Sequence, residues 1–234
     1  MDAFKGKRIV ITGVSRGIGY QAAKLFLQAG GEVFGTARDA ARLAAVAADF
    51  KPLGPFTVFA ADLSEASAPK RVAEAAGRQW GAVDILVNNA AVQTWRKSWM
   101  AEGVDMLEAN LRVNLFAPHA LIFHLLPLLR NGDDPRIINV SSGAGAFKAL
   151  SEGTDMPSYR MSKYALNGLS VLWARELAGQ VAVNSLDPGW LRTDMGGPEA
   201  PGEPVEGGRR VLAAAGLPFE TTGKFLYGDK EIEF

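Results

Sequence analysis

Residues 8–19 are Arg-Ile-Val-Ile-Thr-Gly-Val-Ser-Arg-Gly-Ile-Gly, and they decide the predicted fold. A β-branched run at residues 8–11 is followed by a glycine-rich turn and then by an apolar helical pattern that stops at Gly30. Strand, glycine turn and helix in this order are typical of dinucleotide binding, because glycines let the backbone approach a pyrophosphate at the positive end of a helix. The candidate cofactor-binding residues of the turn are Gly13, Ser15, Arg16, Gly17, Ile18 and Gly19.

The spacing of these glycines is Gly-x-x-x-Gly-x-Gly, which differs from the Gly-x-Gly-x-x-Gly of the dinucleotide-binding fingerprint. A glycine turn also occurs where a helix only packs closely on a strand, so packing alone is the alternative. The position of this turn between a strand and a helix favours the binding interpretation.

A second strand is predicted at residues 33–37, and the residues after it lie where an adenosine ribose would be recognised. Arg38, assisted by Arg16, offers a guanidinium for a 2′-phosphate, so the sequence favours NADP(H) over NAD(H). Asp39 keeps a weaker NAD(H) interpretation open, because a carboxylate accepts a hydrogen bond from a free 2′-hydroxyl. Arg38 as an ordinary solvated residue at a strand end is the other alternative.

Further strands alternate with helical patterns along the whole chain, at residues 57–61, 83–87, 136–140, 181–186 and 224–227. This alternation predicts an α/β fold, a Rossmann-type doubly wound parallel sheet of about seven strands with helices on both faces, in three α/β/α layers. No linker, repeat or low-complexity tract divides the chain, so we expect a single domain over residues 1–234.

Small and polar residues follow the predicted strands directly. Because the carboxyl ends of parallel strands meet at one edge of a sheet, where open α/β sheets bind ligands, these residues are expected to gather there. Asp62 and Leu63 are candidates for contact with an adenine, although Asp62 could instead cap the next turn. Asn89 and Ala90 are candidates for contact with a ribose, and Ser142 follows the fifth strand.

Tyr159 and Lys163 are four residues apart at the start of a predicted helix, so their side chains share one face. A phenol with its ordinary pKa of about 10 is a poor acid or base at pH 7 unless a cation favours the phenolate, and Lys163 is placed to be that cation. An ordinary amphipathic surface is the alternative. Asn114 is a further candidate, because an amide inside the apolar helical pattern at residues 104–129 indicates a specific polar role or a kink.

The composition excludes several classes of protein. Lys and Arg number 25 and balance 25 Asp and Glu, so no net field favours nucleic acid or a membrane surface. The chain has no Cys, and His119 and His124 are its only histidines, so a metal site is not expected. The apolar run at residues 115–129 is interrupted by Pro and His, and no secretory signal is seen at the start. We expect a soluble cytoplasmic protein that binds a small molecule.

In this order of motifs the chain resembles the short-chain dehydrogenase/reductase family from end to end. The matching residues are Thr12, Gly13, Gly17, Ile18 and Gly19, then Asn88-Asn89-Ala90, Asn114, Ser142, Tyr159, Lys163, Pro188-Gly189 and Thr193. The endings of the fifth and sixth strands are most similar to the NADPH-dependent carbonyl-reductase branch. Two features depart from the family: Ala91 replaces a usual Gly, and the interval of seventeen positions from Ser142 to Tyr159 is longer than usual.

The resemblance implies a role for each matching residue. Tyr159 would donate a proton to the substrate oxygen as hydride arrives, Ser142 would hydrogen-bond that oxygen, and Lys163 would lower the pKa of Tyr159 and hold the nicotinamide ribose. Asn114 would hold a water that connects Lys163 to solvent. The carboxamide end of the cofactor would be oriented by Pro188, Gly189 and Thr193.

An NADPH-dependent carbonyl reductase acting on an aliphatic or aromatic ketone or aldehyde, or in reverse on the alcohol, is therefore the expected function. A catalytically silent NADP-binding sensor or scaffold and an NAD-linked alcohol dehydrogenase are the alternatives. The candidate pocket aromatics are Trp95, Trp99, Phe147 and Trp190. The segment from Leu150 to Pro157 is expected to shape the substrate mouth, and it leaves homodimer, homotetramer and monomer open.

Overall fold

The computed structural model describes residues 3–93 and 98–234. The strands in this part of the chain are β1 (Arg8–Thr12), β2 (Glu32–Ala37), β3 (Phe56–Ala60), β4 (Ile85–Asn88), β5 (Arg136–Val140), β6 (Ala182–Leu186), β7 (Phe225–Tyr227) and β8 (Lys230–Ile232). They form one sheet in the order β3-β2-β1-β4-β5-β6-β7-β8, with β8 antiparallel to β7 and all other pairs parallel. The sequence predicts about seven strands. The additional strand arises because Gly228, at φ 68°, turns the chain back into a hairpin.

Helices cover both faces of the sheet and make three layers. One face carries α1 (Gly17–Gln28), α2 (Ala40–Phe50) and α8 (Pro204–Ala215), and the other carries α3 (Ala68–Gln79), α5 (Ala117–Arg130) and α7 (Pro157–Glu176). Two further helices, α4 (Trp99–Leu111) and α6 (Phe147–Glu152), pack against α7. The predicted doubly wound α/β architecture is confirmed.

The central strand β1 explains why both faces are covered. Ile9 and Ile11 point to one face and pack with Phe26 of α1, whereas Val10 points to the other face and packs with Leu121 of α5. All five side chains are fully buried. Successive side chains of a strand alternate between faces, so a strand that is apolar throughout needs a helix on each side.

The helical stretch before β5 differs from the prediction of one helix at residues 104–129. Helix α4 begins at Trp99, five residues before the predicted start at residue 104. Gly103, at φ 72°, kinks α4. A π-helical turn at Arg112–Phe116 then joins α4 to α5, and it contains Asn114. The predicted irregularity at Asn114 is therefore present. The other predicted ends of strands and helices differ from the observed ends by one or two residues.

One helical stretch of the described residues, Trp99–Arg130, is long and apolar enough to cross a membrane by length and composition alone. In this fold its second half, α5, buries Leu121, Leu125 and Leu129 against the sheet. The apolar character of α5 is therefore used in the core.

A buried carboxylate joins the amino ends of β1 and β4, at the edge opposite the predicted binding edge. Asp84 is 1% exposed and accepts hydrogen bonds from the Arg8 backbone N–H (2.7 Å), Arg8 Nε (2.9 Å), Arg8 Nη2 (2.9 Å) and the Asp133 backbone N–H (2.6 Å). Burial alone would raise the pKa of Asp84, but the hydrogen bonds from Arg8 and Asp133 outweigh it and the pKa is lowered.

Replacing Asp84 with Ala is expected to lower the free energy of unfolding by about 3 kcal/mol, because two N–H groups and a guanidinium lose their acceptor. The contribution of a carboxylate with a lowered pKa is complete above about pH 4 and is lost as the pH falls, so the difference from wild type should shrink in acid. Urea unfolding measures both effects. Asp133→Ala is the control, since its exposed pair with Lys7 should cost less than about 1 kcal/mol. Equal losses in the free energy of unfolding for the two variants would show that the buried carboxylate of Asp84 is no more important than the exposed one.

Candidate active site

The carboxyl edge of the sheet carries an open cavity of about 870 Å³, within the range of about 300–1,000 Å³ typical of ligand pockets. The predicted site residues that line it are Gly13, Ser15, Arg16, Gly17, Ile18, Arg38, Asp62, Leu63, Asn89, Ala90, Ser142, Tyr159, Lys163, Pro188, Gly189 and Thr193. Two predicted site residues, Gly19 and Asn114, do not line it. The fold therefore brings strand ends that are far apart in sequence to one surface.

The glycine turn is shaped by close backbone approaches. Gly13 (φ 75°) and Gly17 (φ 59°) are left-handed, and a Cβ on Gly13 would lie 2.9 Å from Asn89 Nδ2. A Cβ on Gly17 would lie 3.3 Å from Thr193 Cγ2. Gly19 lies behind the turn, where a Cβ would come 2.3 Å from the Gly13 carbonyl oxygen. The structure thus gives Gly19 a packing role, which is the alternative that the sequence leaves open for this turn.

The ends of β1 and β4 are held together beside this turn. The backbone N–H groups of Asn89 and Ala90 donate to Thr12 Oγ1 at 3.0 and 2.9 Å, and Asn89 Nδ2 donates to the Thr12 carbonyl at 2.8 Å. Thr12 is buried. These bonds keep Asn89 and Ala90 at the cavity wall with little freedom to move.

The part of the cavity that follows β2 carries two arginines, Arg38 and Arg42, together with the carboxylates of Asp39 and Asp62. Arg42 lies in the first turn of α2, four residues after Arg38, and it is not among the residues predicted from the sequence. Asp39 caps α2, its carboxylate accepting from the N–H groups of Ala41 and Arg42 at 3.0 Å each. Asp39 Oδ2 lies 3.4 Å from Arg42 Nε, so both oxygens of the carboxylate on which the NAD(H) interpretation depends have partners within α2.

Arg16 and Asp62 each have a partner within the protein. Arg16 forms an ion pair with Asp194 across the cavity. Asp62 accepts from the Ser64 backbone N–H at 2.9 Å and from Ser64 Oγ at 2.7 Å, so it caps the following turn as well as lining the cavity. Burial opposes the charge of Asp62, but the bonds from Ser64 and the charge of Arg38 lower its pKa.

Tyr159 and Lys163 are both buried on the face of α7 that meets the end of β5. Lys163 Nζ donates to the Val140 carbonyl at 2.8 Å and lies 5.7 Å from the centre of the Tyr159 ring. Burial lowers the pKa of Lys163 to about 7. Burial also raises the pKa of Tyr159 to about 12, with a hydrogen bond from the Ser142 side chain acting in the opposite direction and the charge of Asp187 adding to the rise. The expected lowering of the Tyr159 pKa by Lys163 stays a prediction.

Asn114 supports the site from behind. Its Nδ2 donates to the Val92 carbonyl and to Ser162 Oγ, both at 2.9 Å, and its Oδ1 accepts from the Val92 backbone N–H at 2.8 Å. Ser162 Oγ in turn donates to the Tyr159 carbonyl at 2.7 Å. The side chain of Asn114 therefore joins the chain after β4 to α7, and the water that it is expected to hold stays a prediction.

The long interval between Ser142 and Tyr159 forms one wall of the cavity mouth. Asp155 and Met156 line the cavity, and Met156 has a left-handed backbone at φ 50°. Arg160 holds this wall through an ion pair with Asp155 at 2.5 Å and a hydrogen bond to the Ala149 carbonyl at 3.2 Å. The expected influence of the segment 150–157 on the mouth agrees with this placement.

The aromatic residues predicted to line the pocket do not all lie at the cavity. Trp190 lines the cavity and donates from Nε1 to the Gly196 carbonyl at 2.8 Å. Trp99 and Phe147 are exposed and are not among the lining residues, and Trp95 lies outside the described residues. Asp187 also lines the cavity, and it is not among the residues predicted from the sequence. Among the described residues no group of three or more His, Cys, Asp or Glu is placed to hold a metal ion.

Comparison with known proteins gives a consistent result. The family model described as short chain dehydrogenase matches residues 7–204. The rhamnolipid-biosynthesis 3-oxoacyl-(acyl-carrier-protein) reductase of Pseudomonas aeruginosa is 37% identical over 81% of this chain and 75% of its own length. Carbonyl reductase (NADPH) 1 of Sus scrofa is 27% identical over 96% of this chain and 93% of its own length.

A solved structure agrees with these matches. The active-site complex of Pseudomonas aeruginosa RhlG with NADP has a TM-score of 0.86 and 30% identity, and the alignment covers 97% of this chain and 96% of that one. The similarity extends over the whole sheet and both helical layers.

Replacing Lys163 with Met tests the burial of this amine. A Lys whose folded pKa is about 7 instead of 10.5 costs the folded state stability below pH 7, and the cost fades as the pH rises towards 10.5. The free energy of unfolding of the variant minus that of wild type should therefore be about 3 kcal/mol larger at pH 6 than at pH 9.5. Urea unfolding at the two pH values measures it, with Lys230→Met on the exposed edge strand as the control. If this difference in the free energy of unfolding were the same at both pH values, burial would not lower the pKa of Lys163.

Proposed function

This chain belongs to the short chain dehydrogenase family, and from that premise we propose that it is an NADP(H)-dependent oxidoreductase that reduces a small ketone or aldehyde, or oxidises the corresponding alcohol. The observation that carries the proposal is the meeting of Ser142, Tyr159 and Lys163 in the same cavity as the glycine turn and two arginines. Neighbouring proteins named as NADPH-dependent reductases or seen with NADP support the choice of cofactor.

The residues of the cavity fit a phosphorylated dinucleotide. Gly13 and Gly17 let Asn89 and Thr193 approach the turn closely and shape the cavity wall at the first turn of α1, where a helix amino end attracts phosphate. Arg38 and Arg42 would hold a 2′-phosphate, since guanidinium groups bind phosphate with two parallel hydrogen bonds. Asp39 already has partners for both carboxylate oxygens within α2, which disfavours its use by a free 2′-hydroxyl. These features favour NADP(H) over NAD(H).

The cofactor supplies the hydride, and the side chains manage the proton and the charge. Tyr159 carries its proton at neutral pH, and its pKa of about 12 makes it a weak acid, so it would donate to the substrate oxygen only as hydride transfer builds negative charge on that oxygen. Ser142, which is hydrogen-bonded to Tyr159, would donate to the same oxygen and stabilise its developing negative charge.

Lys163 would restore the proton that Tyr159 gives away. Its pKa of about 7 lets it take up and release a proton near neutral pH. Asn114 holds the chain after β4 against α7, so it would keep Tyr159 and Lys163 in position and offer its carbonyl to a water. We also propose that residues 1–234 form a single domain and that the substrate is a small molecule.

Tyr159→Phe removes only the phenolic hydroxyl. Turnover of a ketone or aldehyde panel with NADPH should fall by about 10²–10⁴-fold, while the affinity for NADPH should change little, because the cofactor is held mainly by other groups. NADPH oxidation at 340 nm measures turnover, and fluorescence titration measures binding. Tyr20→Phe is the matched control, because the Tyr20 ring packs on Phe50 and is not among the lining residues of the cavity. Unchanged turnover in Tyr159→Phe would refute the proposed proton donor, and NADPH binding by wild type without turnover of any carbonyl compound would favour a sensor.

Arg38→Ala is expected to weaken the binding of NADPH by about 10-fold to 100-fold and to leave the weak binding of NADH nearly unchanged, because only NADPH carries the 2′-phosphate. Equilibrium titration with both cofactors measures the ratio. Arg71→Ala, an exposed arginine of α3, is the control for loss of charge alone. Equal weakening of both cofactors would remove Arg38 from the specificity site.

A further inference from the structure

Asp187 brings a carboxylate to the reacting end of the cavity. It directly follows β6, and its backbone N–H donates to the Leu226 carbonyl at 2.7 Å, which extends the pairing with β7. Its Oδ1 accepts from the Gly189 backbone N–H at 2.9 Å. Both ends of the residue are therefore held, and the carboxylate has a defined place in the cavity wall.

The second carboxylate oxygen faces the turn that carries Ser142. A Cβ on Gly143 would lie 2.9 Å from Asp187 Oδ2, so the missing side chain of Gly143 makes room for the carboxylate. The negative charge of Asp187 also contributes to the raised pKa of Tyr159. Its field thus reaches the hydroxyl beside which the substrate oxygen would bind, and it acts in the same way on any anionic group bound there.

Other charges along the described part of the cavity do not cancel this field. Arg16, Arg38 and Arg42 lie beside the glycine turn and the end of β2, and Arg16 is paired with Asp194. Arg160 is paired with Asp155. Lys163, buried and bonded to the Val140 carbonyl, has a pKa of only about 7.

Behind Asp187, Arg210 donates to the Pro188 carbonyl and is paired with Glu206 at 3.5 Å. The reacting end is thus negative or neutral, whereas the arginines Arg38 and Arg42 lie at the other end, after β2.

We propose that Asp187 sets the charge class of the substrate, so that this chain accepts uncharged carbonyl compounds and rejects those with a carboxylate next to the carbonyl, such as 2-oxo acids. The inference rests on the proposed function and narrows its substrate class. Like charges brought together at a desolvated site disfavour binding strongly, whereas an uncharged ester of the same shape meets no such repulsion.

A matched pair of probes tests the inference. Methyl benzoylformate and benzoylformate are the same aryl ketone with and without a carboxylate, and kcat/KM is measured for both with NADPH. Because the ester group also activates the ketone, the deciding quantity is the change in the ester-to-acid ratio between wild type and Asp187→Asn. This variant keeps an oxygen for the Gly189 N–H and removes the charge. The ratio should fall by about tenfold or more.

Two further variants complete the experiment. Asp187→Ser also offers an oxygen to Gly189 and serves if the Asn variant does not fold, with the same fall expected. Asp229→Asn makes the same charge change on the exposed β7–β8 turn and should leave the ratio unchanged. An unchanged ratio in folded, active Asp187 variants would overturn the inference and leave the reductase proposal intact. Failure of every uncharged ketone and aldehyde to react with the wild type would overturn the reductase proposal, and this inference with it.

Discussion

The hydrogen bond from Lys163 Nζ to the Val140 carbonyl is the contact on which the site depends, because it joins α7 to the end of β5. Such a bond requires the helix and the strand end to approach closely. Gly145 permits this, since a Cβ there would lie 2.7 Å from the backbone carbon of Lys163. Tyr159, one turn earlier on α7, is thereby placed beside Ser142, which follows the same strand. The distance between these two hydroxyl groups is a consequence of helix packing.

The same close packing controls the chemistry of the ionisable groups. Tyr159 and Lys163 are excluded from water, and burial favours the uncharged form of each. The folded state accepts an amine that is difficult to charge and a phenol that is difficult to ionise. Both properties suit a site that holds a proton ready and releases it only when negative charge develops on a bound carbonyl oxygen.

Basic and acidic side chains are distributed unevenly along the cavity, although the chain has no net charge. The chain carries equal numbers of acidic and basic residues, yet Arg38 and Arg42 gather where β2 ends and Asp187 lies where β6 ends. Because β1, β4 and β5 lie between β2 and β6 in the sheet, these arginines and Asp187 stand at opposite ends of the cavity. One half suits a phosphate and the other suits an uncharged reacting group.

Much of the fold and the site follows from the sequence alone, since both depend on local order. Alternating strands and helices dictate a parallel sheet, and parallel strands place their carboxyl ends, hence Gly13, Ser142 and Pro188, at one edge. Only the tertiary structure decided what each side chain meets there. Gly19 became a packing residue, Asn114 a tie to Val92, and Asp187 a charge in the cavity, because their partners are distant in sequence and local patterns do not report them.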